Sequence, residues 1–263
     1  MTHTHAEPPT SSSLADVLRF MKRGVFFGGA GVSTESGIAD FRSEDTQDIA
    51  EELFGFPPEV ILSIEFARYN PVTFHRYFRE HLVDRDARPN AAHKALSLLE
   101  YRGTLAAVVT QNIDGLHQQA GSRTVLELHG SVWRHYCVDC NARYTLDWTM
   151  NPVNCRAPER VVPTCPAVIG TTVCGGWVRP DVVLYGEPLP STIVAAAAEA
   201  IRTADVMIVG GTSLVVQPAA GLLGYFRGHT RAIINFDETA FDAQADLVIH
   251  APIGKTLAAA LAP

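Results

Sequence analysis

Apolar residues recur at helical spacing over residues 14–23 (Leu14, Val17, Leu18, Met21), which predicts a first helix. The run Val25-Phe26-Phe27 follows and stops at Gly28-Gly29-Ala30-Gly31, the pattern of a buried strand entering a glycine loop. Residues 46–85 carry aromatic and aliphatic side chains at mostly helical spacing, broken at Pro57-Pro58 and Pro71, and read as a helical insert. An amphipathic helix is predicted over 91–101 and buried strands over 105–110 and 125–128, the latter leading into His129-Gly130. Beyond a turn-rich stretch, strands are predicted over 182–185, 206–209, 232–236 and 247–250. Helices over 191–203 and 218–227 separate them, and a terminal helix closes the chain. Strands alternating with helices imply a parallel sheet covered on both faces.

Composition narrows this picture. The 263 residues suit one large domain with inserts, and 47% hydrophobic with 19% charged residues describes a globular chain. The net charge of -7 argues against a nucleic-acid partner and suits a basic peptide. The alanine-rich stretch around residues 195–200 is interrupted by Glu199 and Arg202, so no membrane span and no membrane partner is expected. Residues 1–13 are rich in Pro, Ser and Thr, read as a disordered tail, and lack the pattern of a signal peptide, which points to the cytoplasm. All five cysteines lie within residues 137–174. Without a secretion signal, such a cluster reads as a metal site rather than a disulfide set.

The glycine loop at residues 28–31 offers backbone N–H groups to a phosphate, but by itself it is equally a structural turn. It departs from G-x-G-x-x-G, and the acidic residue expected about 20 positions later is not evident. A second loop, Gly210-Gly211-Thr212-Ser213, also ends a buried strand. Two such loops at the carboxyl ends of parallel strands suit a dinucleotide. Asn235 closes a further strand, where it could bond a ribose hydroxyl or simply form a turn.

The segment 29–42 (GAGVSTESGIADFR) closely resembles a signature of the sirtuin family, the bacterial silent-information-regulator type of NAD-dependent protein deacylase. Residues 110–117 (TQNIDGLH), His129-Gly130, 179–187 (RPDVVLYGE), 211–214 (GTSL) and Ile234-Asn235 resemble further family segments, in order, so that the likeness spans about residues 15–257. Ala39 stands where the family has proline. The resemblance implies a Rossmann-like, doubly wound α/β fold with a small zinc-binding module and a helical insert. The sheet domain is assigned to 14–45, 86–130 and 179–263, the insert to 46–85, and the zinc module to 131–178.

The activity implied is NAD-dependent deacylation of acyl-lysine in proteins. Nicotinamide leaves, the acyl oxygen attacks C1 of the ribose, and the products are lysine, nicotinamide and an O-acyl-ADP-ribose. His129 is implied as general base and Asn112 as its catalytic partner, ordering water and ribose. The implied NAD contacts are Gly29, Ala30, Gly31, Thr34, Asp40, Phe41, Arg42, Gln111, Asn112, Ile113, Asp114, His129, Gly211, Thr212, Ser213, Asn235 and Ile253. Asp114 faces the nicotinamide amide, Phe41 shields the reacting carbon, and Arg42 reaches a phosphate. Val182, Val183, Leu184, Tyr185 and Gly186 are implied to receive the substrate peptide as an added strand. Glu187 reads as a strand-end surface charge. The Tyr-x-x-Arg pair of long-acid deacylases is not found between Ser43 and Phe56, so acetyl is the preferred acyl group.

Cys137-x-x-Cys140 has the spacing of half a tetrahedral zinc site. In the resemblance Cys174 fills the last ligand position, and Cys165 is preferred to Cys155 as the third ligand, with Cys155 left as the alternative. Four thiolates make a closed, structural site. Three rival functions keep a place: a dehydrogenase, for which no carbonyl-polarising set is evident, a mono-ADP-ribosyltransferase, and a zinc-dependent non-catalytic interaction module. Nothing in the sequence sets the oligomeric state.

Overall fold

The structure, a computed structural model, describes residues 13–39 and 44–262. Its strands, in chain order, are β1 (Gly24–Gly28), β2 (Leu105–Thr110), β3 (Val125–Glu127), β4 (Gly130–Cys137), β5 (Arg143–Thr145), β6 (Val168–Ile169), β7 (Thr172–Val173), β8 (Val178–Val182), β9 (Val206–Gly210), β10 (Thr230–Asn235) and β11 (Leu247–His250). Six of them form a parallel sheet in the order β11-β10-β9-β1-β2-β3. The chain therefore builds outward from β1 in one direction, then returns to its other side. That reversal is the doubly wound topology, and it leaves a crevice at the carboxyl ends beside β1.

Both faces of this sheet are covered, which explains its unbroken apolar strands. Phe26, Val108, Ile208 and Ile234 point to one face and pack against the helices Leu14–Phe20, Ala91–Tyr101 and Ile253–Ala260. Val25, Phe27, Val109, Met207 and Ile233 point to the other, against the helix Ser191–Arg202 and the 3₁₀ turn Ala220–Tyr225. Phe26 and Phe27 are fully buried. Truncating either to alanine is expected to cost about 3–5 kcal/mol, because the close-packed sheet cannot collapse into the void.

The second layer of structure has its own core. Strands β5-β4-β8 form an antiparallel sheet, and β6-β7 a separate hairpin. The insert supplies the helices Glu44–Phe54, Pro58–Ile61, Ile64–Tyr69 and Pro71–Tyr77, followed by a π-helical turn Phe78–Leu82. Ile61, Phe74, Tyr77 and Phe78 from the insert pack with Val132, Leu146, Val182 and Leu184 from the segment that follows. Insert and cysteine module thus bury one apolar surface between them.

Two elements differ from the sequence expectation. The strand expected over 182–185 lies earlier, at Val178–Val182, and pairs antiparallel with β4 instead of joining the parallel sheet. Val178, Arg179, Pro180 and Val182 are all buried there, so burial pattern alone could not assign the sheet. The helix expected over 218–227 is a 3₁₀ segment, Ala220–Tyr225, containing Gly221 and Gly224, residues that weaken an α-helix.

Candidate functional site

Register brings the site together. Gly28 pairs with Thr110 on one side and with Gly210 on the other, so Gly29, Gln111 and Gly211 leave the sheet at one level. The two glycine loops then touch: Gly31 N–H donates to the Gly211 carbonyl at 2.9 Å, and Gly211 N–H donates to Ile234 at 3.2 Å. A Cβ on Gly31 would lie 2.8 Å from Gly211 Cα. Gly211 itself has φ +59, and its added Cβ would collide with Val32 N. Only glycine at these two positions lets the loops approach this closely.

Around the loops lies a cavity of about 540 Å³. Of the residues the resemblance implied for NAD, Gly29, Ala30, Gly31, Thr34, Gln111, Asn112, His129, Gly211, Thr212, Ser213, Asn235 and Ile253 line it. Ile113 and Asp114 do not. Ile113 packs instead against the core shared by insert and cysteine module. Asp40, Phe41 and Arg42 lie outside the described residues.

Hydrogen bonds fix the cavity's polar groups. Gln111 Nε2 donates to Thr212 Oγ1 at 3.1 Å, and Thr212 N–H donates to Asn235 Oδ1 at 3.0 Å, linking the ends of β2, β9 and β10. His129 Nδ1 lies 2.9 Å from the Gln111 carbonyl. A carbonyl can only accept, so Nδ1 carries the proton and Nε2 is the basic nitrogen. Gly130, at φ +79, follows it, where any side chain would overlap the Asp181 carbonyl. This close crossing of β4 and β8 sets the backbone of His129, whose carbonyl accepts from Val183 N–H at 3.0 Å.

Ser33 was missed as a site residue. It is 1% exposed, donates to Asp114 Oδ2 at 2.6 Å and accepts from Asn112 Nδ2 at 3.0 Å. Asp114 Oδ1 also accepts from Leu116 N–H at 2.8 Å. The half-buried carboxylate is therefore partnered at both oxygens. Asn90 was missed too. It caps the helix Ala91–Tyr101 and sends Nδ2 to the Val32 carbonyl (2.7 Å) and Ser36 Oγ (3.0 Å), pinning the first glycine loop. Glu35 reaches across to Gly254 N–H at 2.7 Å, at the start of the helix Ile253–Ala260. Asp237 and Glu238 complete the cavity wall beside Asn235. Their position two and three residues after a strand-ending asparagine is the readable signal.

The implied peptide segment alternates. Val182 and Leu184 are buried, while Tyr185 is exposed. Tyr185 N–H donates to Leu62 and its carbonyl accepts from Ile64 N–H, so the segment already has the insert along part of its backbone. Glu187 is not a surface charge. Its carboxylate is paired with the buried Arg179 at 2.6 Å. Burial alone raises such a carboxyl, but the Arg179 hydrogen bonds and the Leu184 N–H outweigh it and hold Glu187 below its ordinary range.

In the cysteine module, the Sγ atoms of Cys137, Cys140, Cys165 and Cys174 all lie within 4.8 Å of one another. The Cys137–Cys174 and Cys140–Cys165 separations are 3.7 and 3.5 Å. Four thiolates about 2.3 Å from one zinc ion stand roughly 3.8 Å apart, so the cluster fits structural zinc. The hairpin β6-β7 takes up the long spacing between Cys165 and Cys174. Tyr144 hydroxyl lies 3.0 Å from Cys165 Sγ, where it can donate. Cys155 stands apart from the group, 3.3 Å from an Arg79 guanidinium nitrogen.

Comparison with known proteins agrees with this geometry. The model of the Sir2 family matches residues 29–218. An NAD-dependent protein deacetylase of Clostridium acetobutylicum is 50% identical over 233 residues, covering 89% of this chain and 90% of the relative. Another, of Cutibacterium acnes, is 48% identical over 250 residues, covering 95% and 97%. Among solved structures, Sir2 bound to acetylated peptide is 35% identical, covers 92% of this chain and 93% of its own, and has a TM-score of 0.78. A Sir2-p53 peptide-NAD+ structure is 36% identical over the same shares, with a TM-score of 0.77.

Proposed function

We infer the division of labour at this site from one premise: the chain belongs to the Sir2 family and is an NAD-dependent protein deacetylase. Bound NAD supplies the electrophilic ribose carbon, which takes the acyl oxygen of lysine as nicotinamide departs. The chain's own residues bind, orient and move protons. The two glycine loops line the part of the cavity that receives the phosphates, and Asn235 with Ile253 receives the adenosine end. Gln111, fixed by Thr212, orients the ribose near His129.

His129 acts as general base through Nε2 on a ribose hydroxyl. The observation that carries this reading is the Nδ1 contact with the Gln111 carbonyl, because it selects the tautomer that a base needs. Asn112 presents its polar group to the cavity for the ribose, and Asp114 holds it in place through Ser33 from behind the wall. The acyl-lysine peptide lies along residues 182–186, and Ile113 contributes to the apolar wall there. Zinc on Cys137, Cys140, Cys165 and Cys174 folds the module and takes no chemical part, since four thiolates leave no position for water. Reduced thiolates of this kind, and bacterial relatives, support a cytoplasmic site of action. No helix among the described residues is long and apolar enough to cross a membrane.

Replacing His129 with alanine tests the assignment. Losing a general base should lower kcat by about 10²–10⁴-fold. NAD binding, measured by calorimetry, should persist. Near-normal turnover in that variant would remove His129 from the chemistry.

A further inference from the structure

We propose that Arg179 and Glu187 are positioning residues that hold segment 182–186 in the shape that receives the substrate peptide. The proposal rests on the reading that this segment is the peptide edge, and assigns a function to an ion pair that the chemistry does not use. Arg179 is 2% exposed and is the largest fully buried side chain among the described residues. Its guanidinium lies 5.8 Å from the ring centroids of both Tyr136 and Trp177, which restricts its orientation. From there Nη1 donates to Glu187 Oε1 at 2.6 Å and Nη2 to Oε2 at 2.9 Å. Nη2 also donates to the Val182 carbonyl at 2.7 Å. Glu187 Oε2 accepts from Leu184 N–H at 2.9 Å, and Glu187 N–H donates to the Leu184 carbonyl at 2.9 Å. Gly186, at φ +88, makes the turn that brings Glu187 back.

The pair thus grips the backbone of the segment at Val182 and Leu184. On its other sides the segment is fixed by Val183 N–H to the His129 carbonyl and by Tyr185 to Leu62 and Ile64. The Val183 carbonyl has no hydrogen-bond partner among the described residues, and it lies one residue from each gripped position. It is the acceptor left for a substrate amide, on the same residue whose N–H bonds the backbone of the proposed base. A fully buried arginine is seldom the most stabilising choice even with a partly exposed glutamate as partner, because an apolar residue of equal volume avoids the desolvation cost. What the bidentate fork provides is a single geometry. A segment that must present main-chain groups to many peptide sequences needs that more than it needs stability.

The test is steady-state deacetylation by the zinc-loaded full chain carrying Glu187→Gln, which keeps size and hydrogen-bond acceptor, alongside Arg179→Lys and Arg179→Gln. Circular dichroism and zinc content report folding. In Glu187→Gln and Arg179→Gln the KM for an acetyl-lysine peptide should rise about tenfold or more, a loss of roughly 1.4 kcal/mol of binding. Arg179→Lys, which keeps charge without the fork, should fall between them and the parent. The value of kcat at saturating peptide and the KM for NAD should stay within about threefold. An unchanged peptide KM in folded Glu187→Gln overturns the proposal. So does a fall in kcat and melting temperature with peptide KM unmoved, which is the signature of a merely structural pair. A peptide N-methylated beside the acetyl-lysine separates the two claims in the parent enzyme. If N-methylation leaves its KM unchanged, the peptide-edge reading fails. If N-methylation raises KM while Glu187→Gln binds the ordinary peptide normally, only the role of the pair fails.

Discussion

His75 and His117 show how burial alone can make a residue expensive. Burial lowers the His75 imidazole to about 3, with Arg79, His135 and Arg179 nearby pushing the same way. Burial lowers His117 to about 3 as well, assisted by His93 across a ring separation of 4.7 Å. Both rings are neutral in the fold and ordinary in the unfolded chain. Above the ordinary value of 6.5 neither state binds a proton, so they contribute nothing to the pH dependence. Below it the unfolded chain takes up protons that the fold refuses, and stability falls at about 1.4 kcal/mol per pH unit for each histidine. At pH 5 the two together should cost about 4 kcal/mol relative to pH 7. His93 and His135, which burial lowers to about 4, add to the same loss, so urea unfolding at the two pH values should show a fall of at least this size, of which replacing His117 with Gln should remove about 2 kcal/mol. The chemistry-bearing residues were partly readable at this scale. Gln111, His129 and Asn235 sit directly at strand ends and Gly31 in the loop that leaves one, where local pattern can find them. Ser33, Asn90 and Glu187 act through partners that local pattern does not reveal. Ser33 bonds a residue 81 positions away, Asn90 one 58 away, and Glu187 a buried arginine with no local cue to its burial.

At the scale of elements, period and punctuation predicted most of the parallel sheet. The strand Leu105–Thr110 and the helix Ala91–Tyr101 fall where the apolar pattern placed them. The pattern failed where two sheets compete for one buried strand, at Val178–Val182, and where glycines tighten a helix, at Ala220–Tyr225. The zinc module lies between these cases. The C-x-x-C half-site is legible from spacing, whereas the choice between Cys155 and Cys165 depends on a hairpin that spacing cannot display. The cluster makes that choice testable. Cys165→Ser should release zinc to a chromogenic chelator and lower the melting temperature by several degrees, because metal binding is folding free energy for a small module. Cys155→Ser should keep one zinc per chain and most of its stability. Zinc retained by Cys165→Ser and lost from Cys155→Ser would reverse the assignment.

The whole molecule combines two functions in separate layers. The parallel sheet collects the glycine loops, Asn235 and His129 around one cavity, and the smaller layer, built on the shared core of insert and cysteine module, carries the segment proposed to receive the peptide. The acidic net charge of -7 disfavours acidic partners over longer range. The account requires that one equivalent of NAD be consumed for each acyl group removed. Mass spectrometry of the products from NAD and acetyl- or succinyl-lysine peptides tests that directly. The account predicts nicotinamide, O-acetyl-ADP-ribose and free lysine peptide in equal amounts, with the acetyl peptide turned over faster. Formation of NADH, or peptide and NAD both left intact by folded, zinc-loaded protein, would contradict it.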